Sequence, residues 1–306
     1  MNPAPTPLLT LHHYWMRQAN LIRRAYKIAI AVFTEACGHL GITRPQFETM
    51  MAIASFPAQD QISLARAIGI DRSTTALILD GLAERGLVER TVDHADRRKR
   101  TLRLTQQGAI VIEQARLGAG LAQSRLLAAL SSSESEALIA ALRTVITHTP
   151  SRAPTWSVPQ APERGFGPVV AALANRPGFL LRRTVQVGYA LFDEKTAGLD
   201  LTPTQFGLLF LLEVLPADHA DTARLVGVER STSDRLLARL KARGYVEKAL
   251  DAGRPILRLT REGGEVFEAA RRLADEADEI QLSCLAPDQR AGLLDSLAKL
   301  VFFHQG

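Results

Sequence analysis

A run of basic residues is the feature of this sequence that most directly suggests chemistry. From Asp93 the chain reads DHADRRKRTLRLTQQG, and the four successive positions Arg97–Arg100 are all cationic. Charged groups packed this closely favour a polyanionic partner. A second segment, DAGRPILRLTREGG, starts at Asp251 and contains the same LRLT sequence, but it keeps only Arg254 as a cation before it. The sequence therefore holds one charged and one depleted version of the same segment.

Two other segments place arginine and hydroxyl side chains at the start of a helical pattern. They read RSTTALILDGLAERG from Arg72 and RSTSDRLLARLKARG from Arg230. Each follows a short amphipathic stretch that stops at a glycine, Gly69 in one case and Gly227 in the other. Two short helices joined by a tight glycine-containing turn are typical of a helix-turn-helix. The sequence therefore predicts two such motifs.

The two sets of segments belong to an internal repeat. LIRRAY at Leu21 matches LLRRTV at Leu180, and IDRSTT at Ile70 matches VERSTS at Val228. The two LRLT segments continue this series in the same order along the chain. Collinear matches whose separation changes slowly indicate a duplicated domain with small deletions.

The repeat and the segment that joins its copies predict the domain organisation. The sequence TPSRAPTWSVPQAPERGFGP between the copies is rich in proline and glycine, which favours an extended linker over a helix. We therefore predict a first domain at residues 1–148 (copy one), a proline-rich linker at 149–168 and a second domain at 169–306 (copy two).

Periodicity and capping residues predict the elements of copy one, and copy two repeats them. Apolar residues recur at helical spacing over Leu11–His39, which predicts one long helix. Thr43 and Asp71 stand where they would cap the following helices, and Ser131 with Glu134 has the spacing of a capping box. LVERTV and TLRLT flank the basic run, so they predict a β-hairpin with a charged tip.

Composition and charge narrow the class of protein. No apolar run approaches the roughly 20 residues of a membrane span, and the N-terminus lacks the pattern of a signal peptide, so we expect a cytoplasmic chain without a membrane partner. Residues 1–150 hold 17 Lys and Arg against 12 Asp and Glu, whereas residues 151–306 hold 20 of each. The net charge of +5 therefore lies in the first half. On charge alone, a polyanion partner and an ordinary soluble surface both remain open.

The order of elements and the segment RSTTALILDGLAERGLVERTVDHADRRKRTLRLTQQG resemble the MarR family of winged-helix transcription regulators. The residues that match the wing pattern of this family are Asp93, Asp96, Arg97, Arg98, Leu104, Thr105 and Gly108. Members are usually separate chains of about this repeat length that dimerise through their first and last helices. The resemblance therefore implies a mainly α fold with small β-hairpin wings. Tandem winged helix-turn-helix domains would share a helical, dimerisation-like core within one monomeric pseudodimer.

Double-stranded DNA is the partner that this resemblance implies. The contacts expected in copy one are Arg72, Ser73, Thr74, Thr75, Leu77, Arg97, Arg98, Lys99 and Arg100. Those expected in copy two are Arg230, Ser231, Thr232, Ser233, Arg235, Arg239 and Arg254. Leu77 suits either a thymine methyl group or packing against the neighbouring helix. Because the copies differ in where they carry charge, we expect an imperfectly palindromic operator, and repression is the commoner mode of the family.

A small aromatic or phenolic effector that releases DNA is the second partner implied by the resemblance. Candidate ligand contacts in copy one are His12, His13, Trp15, Arg17, Phe47 and Met51. These side chains supply the aromatic and polar groups that such a pocket needs, although they equally suit core and surface positions. The matching stretch of copy two, AALANRPG, differs, so any pocket there would differ too.

Other functional classes have weaker support. The seven histidines show no metal-ligand spacing, and no phosphate loop or dinucleotide fingerprint is present, so we expect neither an enzyme nor a metal or cofactor site. Cys37 would suit a thiol-based oxidant sensor, but it falls at the C-terminal end of the first helix and is more simply an inert thiol. A further alternative is an interaction module in which only the first domain binds DNA and the second is a degenerate structural partner.

Overall fold

The computed structural model describes residues 10–55, 60–92, 100–149 and 173–304. The elements before residue 150 are α1 (Leu11–Met16), α2 (Gln18–Cys37), a 3₁₀ turn (Gly38–Leu40), α3 (Arg44–Ser55), α4 (Gln61–Ile68), α5 (Arg72–Glu84), β1 (Val88–Val92), β2 (Arg100–Leu104), α6 (Gln106–Leu126) and α7 (Ser132–His148). Those after residue 176 are α8 (Pro177–Thr196), a 3₁₀ turn (Ala197–Leu199), α9 (Pro203–Val214), α10 (His219–Val226), α11 (Arg230–Ala242), β3 (Val246–Asp251), β4 (Arg254–Leu259), α12 (Arg261–Leu282) and α13 (Pro287–Phe303). The described chain is thus mainly helical with two small antiparallel hairpins.

The chain folds into two compact units that are not contiguous in sequence. Unit 1 consists of Met1–Leu21 and Gly188–Gln281, and unit 2 consists of Ile22–Val187 and Leu282–Gly306. The boundaries between the units fall inside the long helices α2, α8 and α12. Each unit contains one helix-turn-helix followed by one hairpin: α10, α11, β3 and β4 in unit 1, and α4, α5, β1 and β2 in unit 2.

Unit 2 is built around apolar residues that recur at helical spacing. Buried side chains from four of its helices include Phe47, Leu64, Leu79 and Ile112, each at most 3% exposed. Removing this apolar surface from water supplies the main stabilisation of the unit, at about 25 cal/mol per Å². The predicted capping box at the start of α7 is confirmed, because the Ser131 side chain caps the helix and its backbone N–H donates to the Glu134 carboxylate at 2.8 Å.

Unit 1 has an aromatic core. The rings of Phe206, Phe210 and Phe267 pack together with centroid distances of 5.3–6.1 Å. Tyr14, from the short helix α1, lies 5.4 Å from Phe210 and is 4% exposed. Aromatic pairs at these separations add to the stabilisation given by burial alone. The N-terminal helix is therefore an integral part of this unit and not a loose extension of the chain.

The first helix departs from its prediction. We expected one helix over Leu11–His39, but the structure divides it at Arg17, whose backbone has φ −58° and ψ 133° and is not helical. The Thr10 side chain caps the first piece through the backbone N–H of His13. The predicted linker at 149–168 lies outside the described residues except for Thr149, which follows the end of α7.

Candidate nucleic-acid interface

The helix-turn-helix of unit 2 is defined by two aspartate caps and a glycine. Asp60 accepts hydrogen bonds from the backbone N–H groups of Ile62 and Ser63 at 2.8 and 2.9 Å, which begins α4. Gly69 ends α4 with φ 62°, a left-handed conformation that glycine adopts without strain. Asp71 then begins α5 and accepts from the backbone N–H of Thr74 at 2.8 Å, so its predicted capping role is confirmed.

Asp71 places a stable negative charge beside the exposed end of α5. Its carboxylate accepts a hydrogen bond from the Ser73 hydroxyl at 2.6 Å, and this bond, together with those from Thr74, lowers the pKa of Asp71 to about 2. A carboxylate also interacts favourably with the positive end of a helix dipole. A phosphate that approaches this helix end must therefore compete with Asp71 for the same N–H groups.

The outward face of α5 carries four of the five α5 side chains predicted to touch DNA. Arg72, Ser73 and Thr74 are exposed in the first turn, and Leu77 is 72% exposed one turn later. The prediction for Thr75 is wrong, because its side chain is completely buried and its hydroxyl donates to the Ile70 carbonyl at 3.4 Å. The exposure of Leu77 leaves it available for an apolar contact rather than for packing within the motif.

The hairpin after α5 is the wing of unit 2. Strands β1 and β2 pair from Val88 with Leu104 to Val92 with Arg100. Arg90 on β1 forms an ion pair with Asp80 on α5 at 2.7 Å, which ties the hairpin to the recognition helix. The predicted tip contacts Arg97, Arg98 and Lys99 lie outside the described residues, and Arg100 begins β2.

The shared LRLT…G pattern has the same structural role in both hairpins. The Thr105 hydroxyl donates to the Gly86 carbonyl at 2.6 Å, and the Thr260 hydroxyl makes the matching bond to Gly244, also at 2.6 Å. A Cβ atom on Gly108 would lie 1.9 Å from the Leu87 carbonyl oxygen, and one on Gly263 would lie 2.0 Å from that of Tyr245. Glycine is thus required at these two positions because the helix backbone touches the residue that immediately precedes each strand.

The helix-turn-helix of unit 1 presents arginines along its recognition helix. Arg230 and Ser231 are exposed in the first turn of α11, and Arg235 and Arg239 are exposed further along it. Thr232 is half-buried. None of the three arginines forms an ion pair with an acidic side chain in the described parts of the chain. Their guanidinium groups therefore lie exposed on the outward face of α11.

Two other features distinguish α11 from α5. Glu229, the residue before α11, makes no side-chain cap, so the N-terminal amide groups of this helix carry no carboxylate of the kind that Asp71 provides. The prediction for Ser233 is wrong: its side chain is fully buried, and its hydroxyl has no hydrogen-bond partner among the described residues. A contact with His219 braces the helix instead, because Asp234 lies 2.8 Å from the Nδ1 atom of that histidine.

The hairpin of unit 1 ends in a two-residue turn. Ala252 and Gly253 have φ 46° and 81°, and the flanking Asp251 and Arg254 pair across the strands. Positive φ at both central residues is characteristic of a type I′ turn, which suits the twist of a hairpin. Arg254 is exposed at the tip. The predicted contact is thus accessible, on a wing that is short and well defined.

The predicted ligand-binding residues are divided between the two units. His12, His13, Trp15 and Arg17 belong to unit 1, where both histidines are exposed on α1. Phe47 and Met51 belong to unit 2 and are buried on α3. Phe47 packs on Phe33 with a centroid distance of 5.3 Å. The six residues therefore do not lie in one site within either unit.

A cavity in unit 2 reveals residues that the sequence did not single out. It is lined by Ala29, Val32, Phe33, Arg44, Phe47, Ala119, Ala122, Gln123, Leu126, Arg176, Pro177 and Gly178, and its volume is about 30 Å³. The Arg176 guanidinium lies 5.3 Å from the centroid of the Phe47 ring, and that of Arg44 lies 5.8 Å from Phe33. Burial lowers the pKa of Arg176, as do the nearby charges of Arg116 and Arg44. Two cations and two aromatic rings therefore surround a small apolar space.

The signal for Arg176 was present in the sequence. Arg176 stands four residues before Leu180, as Arg17 stands four residues before Leu21, and these two leucines begin the similar segments LLRRTV and LIRRAY. The six predicted ligand contacts all precede residue 52, whereas Arg176, which lies against Phe47, precedes α8. Only Phe47 of the six predicted ligand contacts lines this cavity.

The described residues contain no group of three or more histidine, cysteine, aspartate or glutamate side chains arranged to hold a metal ion. In the same parts of the chain, no helix is both long enough and apolar enough to cross a membrane.

A helix-turn-helix followed by a two-stranded wing and long helices defines a winged-helix DNA-binding protein. The sequence model of the MarR family matches residues 42–99. This range covers α3, α4, α5 and β1 and reaches into the segment before β2.

Two curated proteins and one solved structure illustrate the similarity. The chain is 33% identical to the transcriptional regulator HosA of Escherichia coli O157:H7 over 102 residues, which are 33% of this chain and 76% of HosA. It is 32% identical over 94 residues to the HTH-type transcriptional repressor NicR of Pseudomonas putida, covering 31% of this chain but only 60% of NicR. The repressor CouR, solved with a 23-mer DNA duplex, is 28% identical with a TM-score of 0.40, over 42% of this chain and 94% of CouR.

The chain belongs to the MarR family. The proteins of this family are DNA-binding transcription regulators and not enzymes.

Proposed function

We propose that the chain is a transcriptional repressor that binds one DNA duplex with both of its helix-turn-helix motifs, as a monomeric pseudodimer. In this proposal residues 1–148 and 169–306 are two fused MarR-like domains joined by the linker at 149–168. Repeated contacts at matched positions support it. Arg85 donates to the Leu40 and Gly41 carbonyls, and Arg243, its counterpart in copy two, donates to those of Leu199 and Asp200.

The recognition helices provide the observation that carries this proposal. At matched positions, Arg72 and Arg230 are exposed while Thr75 and Ser233 are buried. Both helices therefore turn the same face outward. A helix that leads with exposed arginine and hydroxyl groups suits the edges of bases and the phosphates of a major groove. Since the outward residues differ between α5 and α11, the two half-sites should be related but not identical.

The competing proposal, that only the first domain binds DNA, is tested by removing the cations of α11. The operator is first selected from random duplexes with the full chain. We then expect Arg230→Ala/Arg235→Ala/Arg239→Ala to weaken binding by at least about 100-fold and to reduce the salt slope by about 3. The control Arg116→Ala/Arg125→Ala/Arg261→Ala removes three exposed charges from other helices. Equal affinity of the two triple variants would leave the first domain as the sole DNA reader.

A ligand function for the cavity of unit 2 forms the second part of the proposal. Its two guanidinium groups favour a carboxylate, and the Phe33 and Phe47 rings favour an aromatic body, so the class is an aromatic carboxylate. A volume of about 30 Å³ holds about one water molecule, so the cavity must widen when such a ligand enters. Benzoate should bind and lower operator affinity, whereas neutral benzamide should do neither. Loss of benzoate binding in Arg176→Met, but not in Arg143→Met, would assign the effect to the cavity.

The alternative of an oxidant sensor has less structural support. Cys37 is completely buried, and this burial raises the pKa of its thiol. The reactive form of cysteine is the thiolate, which this environment disfavours. Its Sγ atom lies 3.7 Å from the Ala115 carbonyl, in the packed contact between α2 and α6.

A further inference from the structure

Arg17 and Arg176 occupy the same place in the two units. Each is the last residue before a long helix, and its carbonyl accepts the first backbone hydrogen bond of that helix, at 2.9 and 3.1 Å. Each guanidinium also lies over a phenylalanine ring: Arg17 is 5.5 Å from Phe206, and Arg176 is 5.3 Å from Phe47. The same interval along the sequence separates the two rings and the two arginines. Each unit therefore contains the same arginine on the same aromatic surface.

The surroundings of Arg17 neutralise it. Its Nη1 atom lies 2.5 Å from Asp275 and its Nη2 atom lies 2.6 Å from Asp278. Both acids project from α12. Each terminal nitrogen thus has a carboxylate of its own, and the arginine side chain is only 14% exposed. This two-pronged arrangement uses the donors with which an arginine fork would engage the carboxylate of a ligand.

Arg176 has no pair of acids of this kind in the described chain, although the charge of Glu48 acts on it from beyond ion-pair distance. Position 275 corresponds to Gly120 in the other copy and position 278 to Gln123, because the two LRLT segments set the alignment of the helices that follow them. Gln123 lines the cavity with Arg44 and Arg176, and in the described chain no acidic side chain lies within ion-pair distance of Arg176.

The second cation of the cavity is also confined to unit 2. Arg44 pairs with Glu48 at 3.2 Å and lines the cavity beside Arg176. Its counterpart in unit 1 is Pro203, which carries no charge. The two units therefore differ both in the acids that face the shared arginine and in the cation beside it.

On the basis of the ligand function proposed above, we propose that each chain binds a single aromatic carboxylate, in unit 2, because Asp275 and Asp278 already occupy the matching place in unit 1. The chain supplies its own carboxylates to Arg17 and leaves Arg176 for a ligand. The effector signal enters through unit 2 alone.

Moving the acid pair into unit 2 tests this directly. In Gly120→Asp/Gln123→Asp, Arg176 should acquire internal carboxylates and benzoate binding should be lost. A Cβ atom on Gly120 meets nothing within 4 Å, so the first substitution has room. The control Gly120→Asn/Gln123→Asn has the same shapes without the charges and should keep binding within about threefold. Retention of full binding by the aspartate variant at pH 7.5 would overturn the proposal.

The converse test removes the two carboxylates that pair with Arg17 in unit 1. Equilibrium dialysis of radiolabelled benzoate against the full chain should give one site per wild-type molecule and two per molecule of Asp275→Asn/Asp278→Asn. Asparagine keeps the size of each side chain and one acceptor oxygen, which limits damage to the fold. Two sites in the wild-type chain would contradict the proposal, as would one site in both the wild-type chain and the variant.

The outcomes also separate this inference from the ligand function on which it rests. If benzoate does not bind the wild-type chain but binds one site in Asp275→Asn/Asp278→Asn, the aspartates do act as internal ligands and the cavity of unit 2 is not the effector site. If neither protein binds benzoate, both proposals are wrong for this ligand class. Near-ultraviolet circular dichroism of each variant verifies that the aromatic cores are intact.

Discussion

Arg182 and Glu48 form an almost completely buried ion pair in unit 2. The Nε and Nη2 atoms of Arg182 lie 2.9 and 2.8 Å from one carboxylate oxygen of Glu48, and the two side chains are 6% and 2% exposed. The same guanidinium donates to the carbonyls of Ile68 and Gly69, where α4 ends. Arg182 therefore connects α8 to α3 through its ion pair with Glu48. It also connects α8 to the end of α4, because it donates to carbonyls that have no hydrogen-bond partner within that helix.

Removing one partner of this pair should be costly. In Arg182→Met, Glu48 loses its buried ion pair and keeps the one with Arg44, and the Ile68 and Gly69 carbonyls lose a donor. We expect the free energy of unfolding in urea to fall by about 3 kcal/mol. The exposed pair Lys195–Glu276 is the comparison, since Lys195→Met should cost less than about 1 kcal/mol. The double variant Arg182→Met/Glu48→Gln should recover part of the loss, and no recovery would mean that the helix-end contacts dominate.

Asp278 should make the stability of unit 1 depend on pH. Burial raises the pKa of Asp278 to about 6, although Arg17 acts in the opposite direction. The neutral acid is therefore the form that the fold prefers. Its contribution is fully present below the unfolded pKa, about 3.9, and is lost as the pH rises through 6.

The measurement is the free energy of unfolding of the wild-type chain and of Asp278→Asn between pH 4 and 7.5. Relative to the variant, the wild-type chain should lose up to about 3 kcal/mol across this range, since a shift of two pKa units corresponds to that amount. Asp275→Asn serves as the control, because its carboxyl is half exposed. A constant difference between wild type and Asp278→Asn at every pH would show that Asp278 titrates at its ordinary pKa.

The turn of the unit 1 wing should be improved by a small change. Ala252 has φ 46°, a conformation that costs an L-residue with a Cβ atom about 1 kcal/mol or more. Asparagine tolerates this region better, and Asn-Gly is the preferred pair for a type I′ turn. We expect Ala252→Asn to raise the free energy of unfolding by about 0.5 kcal/mol.

Ala238→Gly provides a matched comparison, because Ala238 is exposed within α11 and glycine lowers helix stability by about 1 kcal/mol. Thermal unfolding should therefore move in opposite directions for the two variants. A destabilising effect of Ala252→Asn would mean that this turn is not type I′ in solution.

Local signals predicted much of the fold because they act through neighbouring residues. The cap at Asp71, the capping box at Ser131 and the strands beside the basic run all follow from short-range pattern, and all are confirmed. The burial of Thr75 was also readable, because it stands one helical turn before Leu79 and two before Leu82, on the same helical face. The hydroxyl of Thr75 suggests a DNA contact, whereas its position in the helical periodicity indicates that the side chain is buried.

Contacts between residues far apart in the sequence explain the two features that the sequence pattern did not predict, the helix break at Arg17 and the cavity of unit 2. The break at Arg17 interrupts a helix whose apolar spacing continues through it, and the residues that hold Arg17 there, Asp275 and Asp278, lie near the other end of the sequence. The same holds for the cavity of unit 2, where Phe47 meets Arg176 from the start of the other copy. Such pairings are fixed by tertiary packing, so the spacing of residues within one segment does not reveal them.

The two wings should differ in their share of DNA affinity. Arg97 and Arg98 belong to a run of four cations, whereas Arg254 is a single arginine that flanks a two-residue turn. If the wing with more cations contributes more to the electrostatic part of DNA binding, Arg97→Ala/Arg98→Ala should lower the slope of log K against log salt by about 2, and Arg254→Ala by at most about 1. Fluorescence anisotropy on the selected operator at several salt concentrations gives both slopes. Arg261→Ala, an exposed charge on α12, should leave the slope unchanged. Equal slopes for the two wing variants would mean that the two wings contribute equally to the electrostatic part of DNA binding.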